Sequence, residues 1–374
     1  MHVGFDATAL EFHTTGAGEY QRNLLSALSR LDAGLRVTVY TPKGLGAHVP
    51  AALAAHEMPW RPGDSFTRIA FGGLFWQRRW RRDGLDVLHV PFYYLPPGAP
   101  ARSVITIYDV RFTRLPGSYA RPRAAFLRAA VPWSLRRARH IIAISEFTKR
   151  EVVETLRVPP EKVTVIPLAP RLTFSELDDR GTLATVRARY RLPDHFILCV
   201  GTLEPHKNLP RVVEAFARLR QACVAHHLVL AGFDYFGGGA VLDTIARLGL
   251  SELVHRIGYV PDEDLPALYN LADLFVYPSL YEGFGIPPLE AMACGTPVVA
   301  SAGTSIPEVV GPAALLVDPY DVAALADAMV EVLGNEQTAA RLRLAGFERV
   351  RRFSWEDTAR RTVAVYEAVA SGRA

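Results

Sequence analysis

The 374-residue sequence predicts an α/β fold in which two doubly wound parallel-sheet domains face one another across a cleft. Short apolar runs alternate with helical stretches in both halves of the chain, a pattern typical of parallel α/β proteins. The chain also exceeds the roughly 250–300 residues at which single hydrophobic cores stop growing. A polar stretch within 167–180 separates the two patterns, so we predict an N-terminal domain at 1–175 and a C-terminal domain at 176–355. The last helix, within 356–374, is expected to pack back onto the first domain.

The elements follow from short apolar runs, which we interpret as strands, and from the longer stretches between them. In the N-terminal domain the predicted strands are 2–6, 36–40, 87–90, 104–108 and 140–144, with helices at 20–31 and 123–137. In the C-terminal domain the predicted strands are 196–201, 227–231, 254–259, 274–277, 297–300 and 313–317, with helices at 182–190, 209–219, 240–247, 265–271 and 322–333. Residues 42–61 are expected to form a long connection. Ligands of such sheets bind at the carboxyl ends of the strands, so the loops after the strands should carry the chemistry.

Composition excludes several classes of protein. The chain is 49% hydrophobic and 21% charged, as in ordinary globular proteins. No apolar run reaches the roughly 18–20 residues that cross a bilayer, and the N-terminus does not resemble a signal peptide. Cys199, Cys223 and Cys294 lack metal-site spacing and are expected to be reduced thiols. These features indicate a cytoplasmic protein.

Positive charge is concentrated in one part of the first domain. Between Trp60 and His140 there are fifteen arginines, no lysine, four aspartates and no glutamate. Such a segment favours phosphate-bearing or acidic partners or an anionic membrane surface, and it is equally compatible with solvated helix faces. No nucleic-acid-binding module accompanies the arginines, so a nucleic acid is not an expected partner.

The strongest chemical signal is the segment 273–301, which reads DLFVYPSLYEGFGIPPLEAMACGTPVVAS. Glu282 lies in a loop between a strand and a short helix, and Glu290 lies in the first turn of that helix. Free amides and the positive dipole at a helix start bind anions such as a diphosphate. Two carboxylates can accept hydrogen bonds from sugar and ribose hydroxyls. By spacing alone, they could equally be a glutamate that complements the dipole and a solvated loop residue.

This segment resembles the E-x7-E signature of glycosyltransferase family 4, retaining enzymes of GT-B fold with two Rossmann-like domains. The resemblance implies that Glu282 contacts the transferred sugar and that Glu290 contacts the nucleotide ribose. It further implies contacts to sugar and phosphate from the amides of Gly283, Phe284, Gly285 and Ile286. The family members it resembles use a nucleotide sugar as substrate, and neither a metal nor another cofactor is expected.

A second segment, 200–208, resembles the G-x-x-x-P-x-K-N donor loop of the same family. The resemblance implies that Lys207 binds the diphosphate, where its charge would stabilise the leaving group. Without the resemblance, a solvated loop lysine would be the simpler interpretation. Relatives often carry an arginine where this chain has Thr202 or His206, and a neutral His206 would only hydrogen-bond.

The N-terminal domain contributes further candidates. Gly16 and Gly18 form a Gly-x-Gly turn before a helix, and the resemblance implies that this turn approaches the donor. By itself the turn is an ordinary strand-to-helix connection. Many relatives have His-Asp where this chain has Tyr108 and Asp109, and the resemblance makes these two residues catalytic candidates. A phenol hydrogen-bonds but does not shuttle protons near neutral pH, and Asp109 would either orient substrate or cap the next turn.

Weaker candidates complete the predicted site. Tyr259 resembles a position that contacts the nucleobase, and a core aromatic is an equal alternative. His89, Tyr93 and Ser145 are candidates for the acceptor side. The run Asp262-Glu263-Asp264 matches the D-x-D pattern that holds a metal in another glycosyltransferase fold. It precedes a helix, however, where acids complement the dipole, so no metal site is expected there.

The predicted activity is retaining transfer of a hexose from a nucleotide sugar to a saccharide or lipid-linked saccharide. A mannose-type GDP-sugar is favoured, with a UDP-sugar as the alternative, because the 201–208 loop resembles that of O-antigen and exopolysaccharide mannosyltransferases. The arginine-rich domain suits a polyprenyl-diphosphate-linked acceptor at the inner face of the membrane. The alternatives are a GT-B-fold epimerase of nucleotide sugars, a transferase with a soluble natural-product acceptor, and a non-catalytic partner of another transferase. A dehydrogenase is disfavoured because the complete dinucleotide fingerprint is missing.

Overall fold

The computed structural model describes residues 1–11, 16–31, 34–61, 65–96, 98–115, 117, 119–221, 225–234 and 238–373, with the backbone alone at 65–70 and 221. The chain divides into two compact units: unit 1 comprises Met1–Leu168 and Ser354–Ala374, and unit 2 comprises Ala169–Phe353. The division precedes the predicted 175/176 boundary. Arg171 and Phe174 already contact side chains of unit 2, namely Glu290 and Tyr269.

Unit 1 contains a seven-stranded sheet. Its strands are β1 (His2–Asp6), β2 (Arg36–Thr41), β3 (Ala54–Glu57), β4 (Val87–Val90), β5 (Ser103–Ile107), β6 (His140–Ala143) and β7 (Val163–Val165). Its first helices are α1 (Gly16–Leu28), α2 (Ser65–Asp83), α3 (Arg111–Arg114), α4 (Arg121–Arg137) and α5 (Glu146–Leu156). The strands lie in the order β3-β2-β1-β4-β5-β6-β7, and each neighbouring pair is parallel.

Two edge strands of unit 1 were not predicted. β3 lies within 42–61, and its sequence Ala-Ala-His-Glu is mostly exposed and lacks the β-branched residues that mark strands. β7 has only three residues, fewer than the runs from which a strand is recognised. Both segments form strands because they pair with a neighbouring strand, β3 with β2 and β7 with β6. Their own sequences do not show this pairing.

Unit 2 contains a six-stranded sheet. Its strands are β8 (Phe196–Val200), β9 (His227–Ala231), β10 (Val254–Gly258), β11 (Leu274–Tyr277), β12 (Val298–Ser301) and β13 (Leu315–Val317). Its helices are α6 (Arg180–Tyr190), α7 (Leu209–Gln221), α8 (Gly238–Arg247), α9 (Leu265–Leu271), α10 (Ile286–Ala293), α11 (Ile306–Val310), α12 (Val322–Gly334) and α13 (Glu336–Val350). The strand order is β10-β9-β8-β11-β12-β13, again with parallel neighbours.

The last helix, α14 (Trp355–Ala370), belongs to unit 1. Ser354 caps its start, accepting a hydrogen bond from the Asp357 amide at 3.0 Å. The buried Tyr366 and Val369 pack in one cluster with Val3 of β1, which places α14 against the face of the sheet opposite α2 and α4. Apolar burial therefore joins the two ends of the sequence in one unit.

Both sheets reverse their strand order at one point. The reversal lies between β1 and β4 in unit 1 and between β8 and β11 in unit 2. The order 3-2-1-4-5-6 is that of doubly wound nucleotide-binding folds, which bind ligands in the crevice at this switch point. The predicted α/β class with two doubly wound parallel sheets is confirmed.

The described part of the chain has no helix that is long and apolar enough to cross a bilayer. Cys199 and Cys294 are free, buried thiols. Burial raises the pKa of each to about 12. Cys223 lies outside the described residues.

Candidate functional site

Two loops meet at the switch point of unit 2, one after β8 and one after β11. The buried Asn208 has left-handed backbone geometry (φ 62°), and its Nδ2 donates to the carbonyl oxygens of Pro278 at 3.1 Å and Pro319 at 2.6 Å. The amide of Leu280 donates to the carbonyl oxygen of His206 at 2.7 Å. These bonds tie the two predicted donor loops together.

Lys207, Tyr277 and Glu282 form a closed triangle of hydrogen bonds where the loops meet. Lys207 Nζ lies 2.7 Å from Glu282 Oε1 and 2.7 Å from Tyr277 Oη, and Tyr277 Oη donates to the same carboxylate oxygen at 2.8 Å. The ammonium also lies 4.8 Å from the centroid of the Tyr277 ring, within range of a cation–π interaction. Sequence analysis identified Lys207 and Glu282 but not Tyr277. Tyr277 is the last residue of an apolar strand and therefore resembled a core residue.

The charges of this triangle follow from its surroundings. Burial acts to raise the pKa of Glu282, but the electrostatic effects of Lys207 and His206 and the hydrogen bonds from Lys207 and Tyr277 outweigh it and lower the pKa to about 2. Burial and the neighbouring Glu282 raise the pKa of Tyr277 well above its usual value. At neutral pH the triangle therefore contains a carboxylate held by an ammonium, with a neutral phenol that donates to it.

A glycine fixes the start of the helix beside the triangle. Gly285 is the N-cap of α10 with φ 91°, and a Cβ there would lie 2.5 Å from Ile306 Cδ1. Prolines occupy the first turn, as predicted from Pro287 and Pro288. A glycine N-cap brings no side-chain oxygen to the helix start, and Pro287 and Pro288 carry no N–H, so an anionic ligand would meet the Ile286 amide and the positive end of the helix dipole.

The next βα unit supports the glutamate loop. Ser305 Oγ lies 3.0 Å from the carbonyl oxygens of both Glu282 and Phe284, and the Glu282 amide donates to Thr304 Oγ1 at 3.3 Å. The buried ring of Phe284 packs edge-to-face against Phe353, with centroids 5.8 Å apart. Thr304 and Ser305 come after β12, and no local pattern marks them as residues that hold the loop.

Glu290 is buried in a second polar cluster. Its Oε1 accepts from Arg171 Nε at 3.2 Å, and its Oε2 accepts from Tyr269 Oη at 3.4 Å. Arg171 also pairs with Asp262 Oδ1 at 2.7 Å and lies over the Phe174 ring at 4.5 Å. Arg171 thus neutralises Glu290 from the segment at the start of unit 2, a contact that the sequence did not reveal.

The acid run at 262–264 has a different role from the one expected. Asp262 pairs with Arg171, as described above. Asp264 is the N-cap residue of α9, but its side chain makes no capping bond. Its Oδ2 instead accepts from Arg189 at 2.6 Å and from Tyr190 at 2.7 Å. The interpretation of these acids as partners of the helix dipole is therefore replaced by two specific ion pairs.

The remaining donor-side candidates surround the triangle. Thr202 lines a small pocket together with Gly201, Lys207 and Tyr277. His206 is buried, and its Nδ1 lies 3.1 Å from Glu204 Oε2.

Tyr259 is 43% exposed and stacks on Phe233 with centroids 4.6 Å apart and planes at 11°. Phe233 and Tyr259 follow the adjacent strands β9 and β10, so they form an aromatic platform at the carboxyl edge of the sheet. Phe233 was not a sequence candidate.

In unit 1 the Gly-x-Gly turn opens α1, with Gly16 exposed and Gly18 buried. The preceding Thr14 and Thr15 lie outside the described residues. The buried Gln21, which sequence analysis missed, donates to the carbonyl oxygens of Asp6 at 3.3 Å and Pro91 at 3.2 Å. Gln21 thereby connects the carboxyl ends of strands β1 and β4 at the switch point of this sheet.

Tyr108 and Asp109 are used within the fold. Tyr108 is buried, its Oη donates to Pro91 O at 2.9 Å, and burial raises the pKa of Tyr108 well above its usual value. This placement contradicts a catalytic role for its proton. Asp109 accepts from the Arg111 amide and from Tyr93 Oη, both at 2.9 Å. It thus caps the following turn, which was one of its two predicted roles.

Two acceptor-side predictions are contradicted. His89 is completely buried, with Nδ1 2.6 Å from Tyr366 Oη and Nε2 2.8 Å from Thr106 Oγ1. Burial lowers the pKa of His89 to about 3, so the ring is a neutral core residue. Ser145 is 2% exposed and caps α5 by accepting from the Thr148 amide at 2.9 Å. Side chains along a strand alternate between the two faces of the sheet, and the sequence alone did not predict on which face of β4 the His89 side chain would lie.

Comparison with known proteins agrees with this architecture. A family model described as "Glycosyltransferase Family 4" matches residues 14–169, and one described as "Glycosyl transferases group 1" matches residues 187–349. O-antigen chain mannosyltransferase B of Escherichia coli is 33% identical over 289 residues, which cover 76% of this chain and 75% of that protein. The chain belongs to glycosyltransferase family 4. It is therefore a glycosyltransferase, as predicted.

Other members of the family are similar over shorter stretches. The serotype-specific mannosyltransferase WbdA of Escherichia coli is 36% identical over 229 residues, which cover 60% of this chain but only 28% of WbdA. The MMP alpha-(1->4)-mannosyltransferase of Mycolicibacterium hassiacum is 34% identical over 238 residues, or 62% of this chain and 54% of that protein.

Solved structures share the fold over the whole chain. Sucrose-phosphate synthase of Thermosynechococcus elongatus superposes with a TM-score of 0.78 at 22% identity and covers 100% of both chains. HepE of Anabaena in complex with UDP and glucose superposes with a TM-score of 0.77 at 20% identity, covering 98% of this chain and 100% of HepE. The GT-B fold predicted for this family 4 member is thus confirmed.

Proposed function

We propose that this glycosyltransferase transfers mannose, with retention of configuration, from GDP-mannose to a saccharide that is free or linked to a lipid. The observation that carries the proposal is the Lys207–Tyr277–Glu282 triangle at the switch point of unit 2. It places a cation and an ionised carboxylate where doubly wound sheets bind nucleotides.

In this proposal the positive groups of unit 2 bind the diphosphate. Lys207 supplies a full charge, and the Ile286 amide and the positive end of the α10 dipole supply partial charge. Both are held before the donor arrives, Lys207 by its two hydrogen bonds and the helix by Gly285 and the loop below it. Preorganised charges stabilise the departing diphosphate without reorganisation during the reaction, and no metal ion is needed for this step.

In this proposal the two glutamates bind different parts of the donor, the sugar and the ribose. Glu282 is ionised and accepts hydrogen bonds from hydroxyls of the sugar, while Glu290 accepts from the ribose. The Phe233–Tyr259 platform at the neighbouring strand ends offers a flat surface for the base. Since Glu290 is now paired with Arg171, ribose binding has to share or replace that contact.

The transfer step breaks the bond between the anomeric carbon and the phosphate oxygen and forms a bond to the acceptor oxygen on the same face. The acceptor proton goes to the departing phosphate oxygen. Neither Tyr108 nor His89 serves as the base, because the Tyr108 proton is bonded to Pro91 O and both ring nitrogens of His89 are bonded inside the core.

The choice of mannose and of a saccharide acceptor rests on the relatives. The O-antigen enzyme, WbdA and the mycobacterial enzyme are all named mannosyltransferases. GDP is the favoured nucleotide and UDP the alternative, since HepE was crystallised with UDP. A growing lipid-linked polysaccharide fits this set of relatives, and with such an acceptor the proposal has the protein act in the cytoplasm, against the inner face of the membrane.

Unit 1 carries a surface that suits such a membrane. Helices α2 and α4 pack on one core cluster and expose both arginines and large apolar side chains. Phe71 is 58% exposed and Leu74 53% on α2, and Phe126 is 37% and Trp133 43% on α4. Apolar side chains flanked by arginines bind the interface of anionic bilayers.

The first experiment tests donor and reaction together. Thermal unfolding is recorded with GDP-mannose, UDP-glucose, ADP-glucose and dTDP-glucose, because a donor that binds the native state raises Tm. Mannose transfer from GDP-mannose is then followed with and without a mannosaccharide acceptor, and NMR gives the anomeric configuration of the product.

We expect GDP-mannose to give the largest rise in Tm, transfer to require the acceptor, and the new bond to be α. An epimerase would convert the donor without an acceptor, and a β-linked product would contradict retention. A larger rise in Tm with another donor, together with transfer from it, would replace mannose in the proposal.

A further inference from the structure

The amino-terminal edge of the unit 2 sheet carries a cluster that the glycosyltransferase chemistry does not use. His195, His226 and Asp273 immediately precede the adjacent strands β8, β9 and β11. One ligand atom from each residue lies within 4.8 Å of the others. The predicted site is at the opposite, carboxyl end of the same strands, so the two groups are separated by the length of the strands.

Backbone pairing accounts for this convergence. Phe196 pairs with His227, so His195 and His226 lie side by side, and Leu274 pairs with Ile197, which puts Asp273 beside Phe196, one residue from His195. The carboxylate of Asp273 is further oriented by the Phe196 amide, which donates to its Oδ2 at 2.9 Å. A ligand carboxylate held by a backbone amide is a usual feature of metal sites.

The distances match those of a zinc site. His195 Nδ1 lies 3.3 Å and His226 Nε2 3.4 Å from Asp273 Oδ2. Ligands about 2.0–2.1 Å from a tetrahedral zinc ion stand roughly 3.3 Å apart from one another. The two histidine nitrogens lie within 4.8 Å of each other, and His195, at 68% exposure, has room to rotate toward an ion.

Exposure and charge also suit a cation. The side chains are 68% exposed at His195, 33% at Asp273 and 17% at His226, so an ion can enter from solvent and keep a water ligand. Imidazole nitrogens and carboxylate oxygens are both ordinary ligands of zinc.

From this geometry we infer that His195, His226 and Asp273 form a site for a divalent transition-metal ion of the zinc type, with three protein ligands and a fourth position for water. The chemistry of the set, two imidazoles and one carboxylate, selects Zn²⁺ over Mg²⁺ or Ca²⁺, which prefer oxygen ligands. The site is independent of the donor triangle and of the proposed sugar transfer.

A second histidine pair lies on the adjacent strands β9 and β10 and provides a matched control. His227 Nδ1 lies 2.8 Å from His255 Nε2, with ring centroids 4.9 Å apart. This pair supplies two nitrogens and belongs to no group of three metal ligands among the described residues. His255→Ala therefore removes a histidine from the same sheet but leaves the proposed ligands intact.

The test uses the full-length chain without a histidine tag, first freed of metal with a chelator. Isothermal titration with Zn²⁺ is performed on the wild type and on the His195→Ala, Asp273→Asn and His255→Ala variants. His195 is exposed, so its substitution leaves the fold intact, and Asn at position 273 still accepts the Phe196 amide. The absorption spectrum of bound Co²⁺ then reports the geometry of the ligands.

We expect one Zn²⁺ per chain in the wild type, at least a tenfold loss of affinity in His195→Ala and Asp273→Asn, and no change in His255→Ala. Intense tetrahedral Co²⁺ bands should appear in the wild type and vanish in His195→Ala. The inference is overturned if the wild type binds no stoichiometric Zn²⁺. It is equally overturned if His195→Ala binds as the wild type does, or if only His255→Ala loses affinity.

Discussion

At the scale of single residues, the donor site depends on a charge pair that exists before substrate binds. Lys207 and Glu282 are 15% and 14% exposed, so each has lost most of its water and is compensated by the other. Tyr277 fills the third corner and keeps the ammonium and carboxylate in one arrangement. Such a pair positions a cation for phosphate without leaving it uncompensated in the free protein.

This arrangement predicts a specific loss when the charge of Lys207 is removed. Lys207→Met keeps most of the side-chain volume but not the ammonium, so we expect mannose transfer to fall about 10²–10³-fold in kcat. Initial rates at saturating GDP-mannose measure the effect. Lys43→Met, which removes an exposed lysine of unit 1, is the control and should leave kcat unchanged. A Lys207→Met enzyme with near-normal kcat would rule out the role of this cation.

The same pair predicts a pH dependence of stability. The pKa of Glu282 is about 2 in the folded chain and 4.5 when unperturbed, so its ionisation stabilises the fold above pH 4.5, and this contribution is lost as pH falls toward 2. We expect the wild type to exceed Glu282→Gln in free energy of unfolding by up to about 3 kcal/mol near pH 6. The difference should shrink below pH 4.5 in chemical denaturation experiments. A difference that is independent of pH would show that the carboxylate is not held by Lys207.

At the scale of elements, the loop from β11 to α10 depends on one backbone conformation. Gly285 has φ 91°, and a side chain there meets Ile306, so Gly285→Ala combines left-handed strain with a clash. We expect a loss of about 1–3 kcal/mol in the free energy of unfolding, together with a higher KM for the donor, because the helix start moves. Thermal or urea unfolding and donor titration measure the two effects.

Gly239→Ala is the matched control for this substitution. Gly239 lies in the first turn of α8, and a Cβ there meets nothing within 4 Å. It should leave both stability and KM within error or raise stability slightly. If Gly285→Ala behaved like Gly239→Ala, the αL geometry of the loop would not matter for the donor site.

The elements also show which part of the site was accessible from sequence. Glu282, Glu290 and Lys207 could be found because each lies in a short local segment that resembles a motif of the family, whereas the strand–loop–helix pattern alone left their roles open. Tyr277 and Arg171 could not, because their roles come from contacts with residues far away in sequence, Lys207 and Glu290. His89 was misplaced for a related reason: its strand was correctly located, but its partner Tyr366 lies in the last helix.

The same limit applied to the fold. Central strands such as β8 and β11 carry continuous apolar runs because both of their faces are buried, and they were found within one residue. The edge strands β3 and β7 carry no such run and depend on pairing with β2 and β6. The edge strands β10 and β13 of unit 2 were predicted from their apolar runs, so the strands that a local pattern misses are those that lack such a run.

At the scale of the whole molecule, the exposed face of α2 and α4 predicts membrane binding. The variant Trp133→Ser/Arg136→Gln removes one apolar anchor and one charge from α4, each worth about 1 kcal/mol or more at an anionic surface. We expect at least a tenfold weaker partition onto vesicles with anionic lipid, measured by co-sedimentation. Wild-type binding should also fall as salt rises.

A double variant on α13 of unit 2 tests whether this effect is specific to its location. Arg341→Gln/Leu344→Ser removes the same kinds of exposed side chain from α13. It should bind vesicles as the wild type does. Equal loss in both double variants, or wild-type binding to purely zwitterionic vesicles, would contradict a membrane-facing surface on unit 1.

The central claim is that this chain transfers a sugar from a nucleotide donor held by Glu282 and Lys207. Its most direct test is the rate of acceptor-dependent mannose transfer from GDP-mannose by the wild type, by Glu282→Gln and by Glu263→Gln, an exposed carboxylate of the same unit. We predict transfer by the wild type and by Glu263→Gln at equal rates, and a loss of at least about 100-fold in Glu282→Gln. Full activity in Glu282→Gln would contradict the account.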